Sequence, residues 1–108
     1  MIKFYNEMPE MEFFSGDTLP VFTVEVETES VSDCSMVVTV AKANAPETAV
    51  VSKECTKTSN GFQVQLTSED TFKLKEGAYT LNFRMTDQNN TSYIKLSGLV
   101  YVRAAAGG

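Results

Sequence analysis

The chain contains no histidine and no tryptophan among its 108 residues. Without an imidazole it lacks the usual general base near neutral pH, the commonest metal ligand of catalytic sites and the partner in Ser-His and Cys-His pairs. Its carboxylates lie mostly at predicted outward positions and show no calcium-loop spacing. We therefore expect no catalytic residue, no cofactor and no metal site, and a structural or binding role rather than an enzyme.

Basic side chains are scarce in the first third of the sequence, where Lys3 stands alone among residues 1–33. The same segment is rich in aspartate and glutamate, and the whole chain carries a net charge of −5. An acidic balance disfavours binding to a phosphate backbone, which needs clustered lysine and arginine. Nucleic acid is not an expected partner. The acidic segment is either a solvated sheet face or a docking surface for a basic partner.

Long apolar runs are also missing. The first nine residues contain none of the length that a signal peptide requires, and no window approaches a membrane span. We expect a protein made in the cytoplasm of a bacterial host, without a signal peptide and without a membrane partner.

Cysteine occurs only twice, at Cys34 and Cys55. If a tight turn near Asn44 brings Lys42 opposite Glu47, the same pairing places Cys34 opposite Cys55, within disulfide reach. A chain without a secretory signal folds under reducing conditions, so two thiols are the default. Later oxidation in an extracellular particle remains an alternative for this possible cross-strand thiol pair.

Alternation of apolar and polar residues is the strongest positive signal, and it is unbroken from Tyr79 to Thr86. A period of two places every second side chain on one face of a strand. Similar patterns, separated by turn residues, predict strands at Leu19–Glu27, Met36–Lys42, Thr48–Cys55, Phe62–Leu66 and Ser92–Arg103. About seven strands with this spacing predict an all-β, immunoglobulin-like two-layer antiparallel β-sandwich. We assign it residues 15–103, with 1–14 as an N-terminal extension or edge strand and 104–108 as a flexible tail.

One short helical corner is predicted near residues 67–76. Thr67 or Ser68 can cap a helix whose first turn is acidic, and Gly77 is placed to end it. Tyr79 follows where a tyrosine-corner residue hydrogen-bonds back to the preceding loop. Gly98 interrupts the last strand and is a candidate bulge.

A candidate partner-binding face lies on the last hairpin. Tyr93 and Tyr101 are predicted on the outer side of the final strand, with Lys95 and Arg84 nearby. The tyrosines can instead be ordinary cross-strand packing residues, and both interpretations stand. The edge strands are a second predicted docking surface, because unpaired backbone groups accept an added strand.

Five short motifs, in this order, resemble the small immunoglobulin-like domain at the N-terminus of phage upper baseplate proteins and related short tail or fibre proteins. They are Ser15–Thr18, Asn60–Gly61, Leu66–Thr71, Glu76–Tyr79 and Leu96–Gly98. The resemblance implies a structural connector of a phage or prophage virion. Its implied partners are other phage structural proteins and further copies of itself. The alternative is a stand-alone binding module for carbohydrate or another protein.

Overall fold

The structure is a computed structural model that describes residues 2–4, 10–26, 34–45, 47–87 and 89–104, without the side chains of 2–4 and 93–95. These ranges form nine strands and one helix: β1 (Ile2–Phe4), β2 (Met11–Phe14), β3 (Phe22–Glu25), β4 (Ser35–Lys42), β5 (Ala49–Glu54), β6 (Thr56–Lys57), β7 (Gly61–Val64), α1 (Ser68–Phe72), β8 (Gly77–Thr86) and β9 (Ser92–Arg103). The predicted all-β sandwich is confirmed.

Two chain segments supply all four edge strands of the two sheets in the described ranges. The sheets have the orders β1-β3-β7-β6 and β2-β9-β8-β4-β5. Consecutive strands β1 and β2 lie at edges of different sheets, and β5 and β6 do the same with only Cys55 between them. These crossings explain why there are more strands than the seven predicted. The predicted antiparallel pairing holds between β3 and β7, β6 and β7, β4 and β5, β4 and β8, and β8 and β9, whereas β1 runs parallel to β3 and β2 to β9.

The core lies between the sheets and follows the predicted alternation. The inward side chains of β8, namely Tyr79, Leu81, Phe83 and Met85, are at most 2% exposed. The predicted inward residues of the neighbouring strands are likewise buried: Phe22, Val24, Val26, Met36, Val38, Val40, Phe62, Val64 and Leu66. Phe83 meets Phe22 of the other sheet edge to face, with ring centroids 6.3 Å apart. Such pairs stabilise the sandwich beyond the area that they bury.

The helical corner and the tyrosine corner are both confirmed. Thr67 caps α1 and forms a capping box with Asp70, and the Tyr79 hydroxyl donates a 2.7 Å hydrogen bond to the Lys75 carbonyl oxygen. The helix ends at Phe72, so Gly77 does not terminate it as predicted. Leu74, fully buried, takes the chain out of the helix and into the core.

The predicted register of the cysteines is wrong. Val40 pairs with Val51, and the Cys55 amide donates to the Met36 carbonyl oxygen at 2.8 Å, so Cys55 lies opposite Met36 and not opposite Cys34. The Ala45 amide donates to the Lys42 carbonyl oxygen and the Thr48 amide to the Ala45 carbonyl oxygen, so the connection is longer than predicted, and with an irregularity after Val40 it shifts the pairing. Both cysteines are buried, and burial raises the pKa of the Cys55 thiol to about 12.

Two further strand predictions need correction. The β9 bulge falls at Lys95, because Phe83 pairs with Leu96 while Arg84 pairs with Ile94; Gly98 stays in register. Strand β3 is shorter than the predicted Leu19–Glu27, of which Glu27 lies outside the described residues. Its first residues leave the ladder because the Leu19 amide instead bonds to the Leu66 carbonyl oxygen.

Replacing Tyr79 with phenylalanine tests the tyrosine corner. The change leaves the ring in the core but removes the donor to Lys75, so the free energy of unfolding should fall by about 0.5–1.5 kcal/mol in denaturant titrations. Tyr101→Phe is the matched control at an exposed tyrosine. An equal effect of both changes would contradict a structural role for the Tyr79 hydroxyl.

Truncating Phe83 tests the contact between the sheets. Phe83→Ala should destabilise the fold by about 3–5 kcal/mol, because it removes a fully buried ring and leaves a cavity. Phe72→Ala provides the comparison at a phenylalanine that is 66% exposed, where a loss below about 1 kcal/mol is expected. A loss below about 1 kcal/mol at Phe83 would remove it from the core.

Candidate functional site

The outer face of the five-stranded sheet is set by the alternation in β8. Because Tyr79, Leu81, Phe83 and Met85 point inward, the residues between them point to solvent. Directly paired residues of neighbouring strands share a face, so the register extends this surface across the sheet. We call it the outer face.

The centre of the outer face carries no charged residue. Its accessible members come from four strands: Val37, Thr39, Ser52, Ala78, Thr80, Asn82, Ser97, Leu99 and Tyr101. A solvated sheet face normally carries many lysines and glutamates, which keep it soluble. An uncharged centre is instead typical of a surface that another surface can cover.

Charged side chains lie at the two ends of the outer face. At one end Arg84 and Glu54 both pair with Val37 in the ladder. At the other end Arg103 Nε donates to Glu12 Oε1 at 2.6 Å. Each end therefore carries at least one acid and one base. Glu76 adds a second negative charge close to Arg103.

Three of the four large apolar side chains that are exposed in the described ranges lie on the outer face. Leu99 is 53% exposed, Phe14 44% and Tyr101 43%. Leu99 and Tyr101 are two residues apart on β9, and Phe14 of β2 pairs with Arg103 in the parallel ladder. The three therefore form an apolar strip at the β2 side of the sheet.

Arg103 organises the charged end beside the apolar strip. Its guanidinium carbon lies 5.8 Å from the centre of the Tyr101 ring. The hydrogen bond to Glu12 raises the pKa of Arg103 above its ordinary value, and so does the negative charge of that carboxylate. Both partners are exposed, so the pair adds little to folding stability. Its consequence is orientation, since it holds a cation next to an exposed aromatic ring.

The predicted partner-binding residues are only partly brought together. Arg84 and Tyr101 are both exposed on the outer face, but Tyr101 pairs with Ala78, six residues along β8 from Arg84. That separation is about 20 Å. The backbone of Tyr93 pairs with Met85, and Lys95 occupies the bulge. The side chains of Tyr93 and Lys95 lie outside the described residues.

Leu99, Phe14 and Glu12 are members of this site that the sequence prediction did not include. The exposure of Leu99 could have been predicted from the alternation in β9. Val100 and Val102 are buried on the inner face, so Leu99 and Tyr101 lie on the outer face. Phe14 and Glu12 carried no such signal. Their position depends on the parallel pairing of β2 with β9, which brings together residues nearly ninety positions apart.

The edges of the five-stranded sheet offer less for docking than the sequence suggested. On β2, the Phe14 amide donates to the Asp17 carboxylate at 3.0 Å, so a local turn already uses this edge group. On β5, Lys53 reaches across to Asp70 and to the Gln65 carbonyl oxygen, each at 2.8 Å. A charged side chain directed inward from an edge strand discourages the addition of another strand. A partner is better accommodated on the face than at these edges.

Lys53 and Asp70 also tie β5 to the helical corner. Burial of the Asp70 carboxyl raises its pKa, but the hydrogen bond from Lys53 and two from Thr67 outweigh burial, so the pKa falls below its ordinary value of 3.8. The carboxylate is thus both a helix-capping group and an ion-pair partner.

No group of three or more potential metal ligands occurs in the part of the chain that the structure describes. A shallow cleft of about 310 Å³ lies between Lys42 and Glu76 at one end of the sheet, and a groove of about 230 Å³ runs beside Leu99 and Tyr101. Both are at or below the lower limit for small-ligand sites. No helix within the described ranges is long and apolar enough to cross a membrane.

Substituting Asp70 with asparagine tests the ion pair through its pH dependence. Because the pKa is lowered in the folded state, the charge stabilises the fold above pH 3.8, and this contribution is lost as the pH falls through the folded value. We expect Asp70→Asn to cost about 1 kcal/mol at neutral pH, with solvent screening at Lys53 taken into account, and nothing near pH 2. Denaturant titrations across pH measure this, with Glu69→Gln as control. A pH-independent loss would contradict the assignment.

No protein-family model matches the chain, and no curated protein matches it. Similar solved structures include the fibronectin(III)-like modules of Clostridium thermocellum CbhA, with a TM-score of 0.53 and 14% sequence identity. The match covers 91% of this chain and 93% of that one. At this identity the likeness shows a shared fold and carries no information on a phage origin. The chain has an immunoglobulin-like, fibronectin(III)-like β-sandwich fold.

Proposed function

We propose that this chain is a non-enzymatic module that acts through protein–protein contact on its outer face. The observation that supports this most is the apolar strip of Leu99, Tyr101 and Phe14 beside an uncharged sheet centre. Exposed apolar surface that is grouped on one face, and rimmed by charge, is typical of interaction sites. The sequence also lacks histidine, and the described residues contain no group of three or more potential metal ligands, so a catalytic role has little support.

The finer form of the proposal is a structural protein of a phage or prophage particle, a connector in the tail, baseplate or fibre. Its support is the order of the five sequence motifs that resemble phage upper baseplate domains. The Glu76–Tyr79 motif forms the tyrosine corner, and Leu66–Thr71 forms the helical corner. Such a connector would work in the virion, bound to other phage structural proteins and to copies of itself.

A second candidate is a stand-alone binding module for carbohydrate or another protein. It is favoured by the Tyr101 ring, which is exposed beside the Arg103 guanidinium and the Glu12 carboxylate. An aromatic face with flanking hydrogen-bonding groups suits a sugar ring as well as a protein side chain. Glycan-array binding that is lost in Tyr101→Ala would favour this candidate over a connector.

Mass spectrometry of purified particles tests the connector role. After prophage induction in the source strain, the tryptic peptide Glu76–Arg84 should appear in particles at a level comparable to other structural proteins. Its presence only in the particle-free lysate would contradict the connector role and favour the stand-alone module. An abundant soluble host protein in the same samples controls for contamination of the particles.

A further inference from the structure

We propose that the Asn60–Gly61 motif is a site of spontaneous covalent modification, at which the asparagine side chain cyclises onto the backbone and is converted to aspartate or isoaspartate. The motif lies in the turn between β6 and β7, which belong to the four-stranded sheet and not to the outer face. The inference goes beyond the proposed function and does not depend on it.

Packing against β3 requires a glycine at position 61. A Cβ atom built on Gly61 would lie 2.0 Å from the Val24 carbonyl oxygen, so no other residue fits without moving the strands apart. The requirement is one of space, since the glycines with positive φ in the described ranges are Gly16 and Gly77. The fold therefore places after Asn60 the residue whose backbone nitrogen is least shielded by a side chain.

The backbone nitrogen of Gly61 is the nucleophile of the proposed reaction. The Asn60 carbonyl oxygen accepts a 3.0 Å hydrogen bond from the Val26 amide, so the backbone groups of Asn60 point to β3. Successive residues of an antiparallel ladder point these groups to alternate sides. Accordingly, the Gly61 carbonyl oxygen accepts a 2.8 Å hydrogen bond from the Thr58 amide across the turn. The Gly61 amide therefore faces the turn and takes no part in the pairing with β3.

The side-chain amide of Asn60 is the electrophile, and it is accessible. Asn60 is exposed, and its Oδ1 accepts a long hydrogen bond of 3.4 Å from the Thr58 hydroxyl. A hydrogen bond of this length is weak, so it does not prevent the amide from rotating toward the Gly61 nitrogen. Water, which has to open the cyclic intermediate, reaches an exposed residue directly.

The reaction needs no cofactor and no oxidant. The deprotonated Gly61 nitrogen attacks Cγ of Asn60, the bond from Cγ to Nδ2 breaks, and ammonia leaves with the proton, which closes a five-membered succinimide ring. Water then adds to one of the two ring carbonyl carbons and breaks its bond to nitrogen. Opening at Cγ gives aspartate, and opening at the backbone carbonyl carbon gives isoaspartate. In sum, the asparagine consumes one water and releases one ammonia.

The two products differ in their effect on the turn. Aspartate retains the main chain and adds only a negative charge. In isoaspartate the main chain runs through Cβ and Cγ, which lengthens it by one carbon just before Gly61. Gly61 has no space to move toward β3, because the Val24 backbone already lies against it. The isoaspartate form should therefore be the less stable of the two.

Peptide mapping of the full chain, incubated at neutral and at mildly alkaline pH, tests the site. Trypsin releases Asn60 in residues 58–73 and Asn44 in residues 43–53, each as the sole asparagine of its peptide. The Asn60 peptide should gain one mass unit several-fold faster than the Asn44 peptide, in which Ala45 follows the asparagine. It should do so in two chromatographic forms, and faster at higher pH, because only the deprotonated nitrogen attacks. Fragment ions distinguish Asn60 from the glutamines of the same peptide.

Asn60→Gln is the matched variant, since glutamine keeps the amide but would have to close a less favourable six-membered ring. It should abolish the mass gain, and Asn60→Ser serves if circular dichroism shows that the first variant misfolds. An Asn60 peptide that keeps its mass, or gains it no faster than the Asn44 peptide, would overturn the inference. An equal gain in Asn60→Gln would do the same.

Thermal unfolding tests the effect on the turn. Asn60→Asp reproduces the aspartate product and should unfold near the temperature of the fresh protein. The isoaspartate fraction, separated by chromatography after incubation, should unfold at a lower temperature. Equal unfolding temperatures of the two would contradict the constraint that β3 places on Gly61.

Discussion

Strand β8 is the element on which the rest of the structure depends. It is the middle strand of the five-stranded sheet, and its ten residues alternate between core and solvent without interruption. The inward set fills the core and reaches Phe22 of the opposite sheet, while the outward set runs through the centre of the outer face. Tyr79 anchors the start of the strand through Lys75. A shift by one residue would exchange core and surface together, so stability and the candidate interface share one constraint.

The closure of the sandwich decides where a partner can bind. A sheet usually recruits partners at its edges, but here both sides of the sandwich are formed by chain segments that pass from one sheet to the other. At one edge of the five-stranded sheet, the Asp17 carboxylate accepts a hydrogen bond from the Phe14 amide. At the other edge, the Lys53 ammonium donates to the Gln65 carbonyl oxygen. The outer face remains, with no charged residue at its centre and with charged side chains toward its two ends. Its composition is what distinguishes it from an ordinary solvated sheet.

Local patterns predicted the parts of this fold that local chemistry determines. The alternation of β8, the capping box at Thr67 and the corner at Tyr79 each depend on residues close in sequence. The register of Cys55 depended on the length of the connection between β4 and β5, and the bulge falls at Lys95 rather than at Gly98, the glycine that suggested one. The apolar strip needed β2 placed beside β9. Pairing between distant segments leaves little trace in one sequence, so the site was predicted only through Tyr101 and Arg84.

Nuclear magnetic resonance of the backbone amides during dilution tests the central claim most directly, because it locates contact surfaces residue by residue. If the outer face is where this chain meets its partner, concentration-dependent shifts should cluster on Thr80, Asn82, Leu99 and Tyr101. The amides of β3 and β7, in the opposite sheet, should stay constant. Shifts confined to the four-stranded sheet would contradict the account, whereas shifts at no concentration would exclude only contact between copies of this chain.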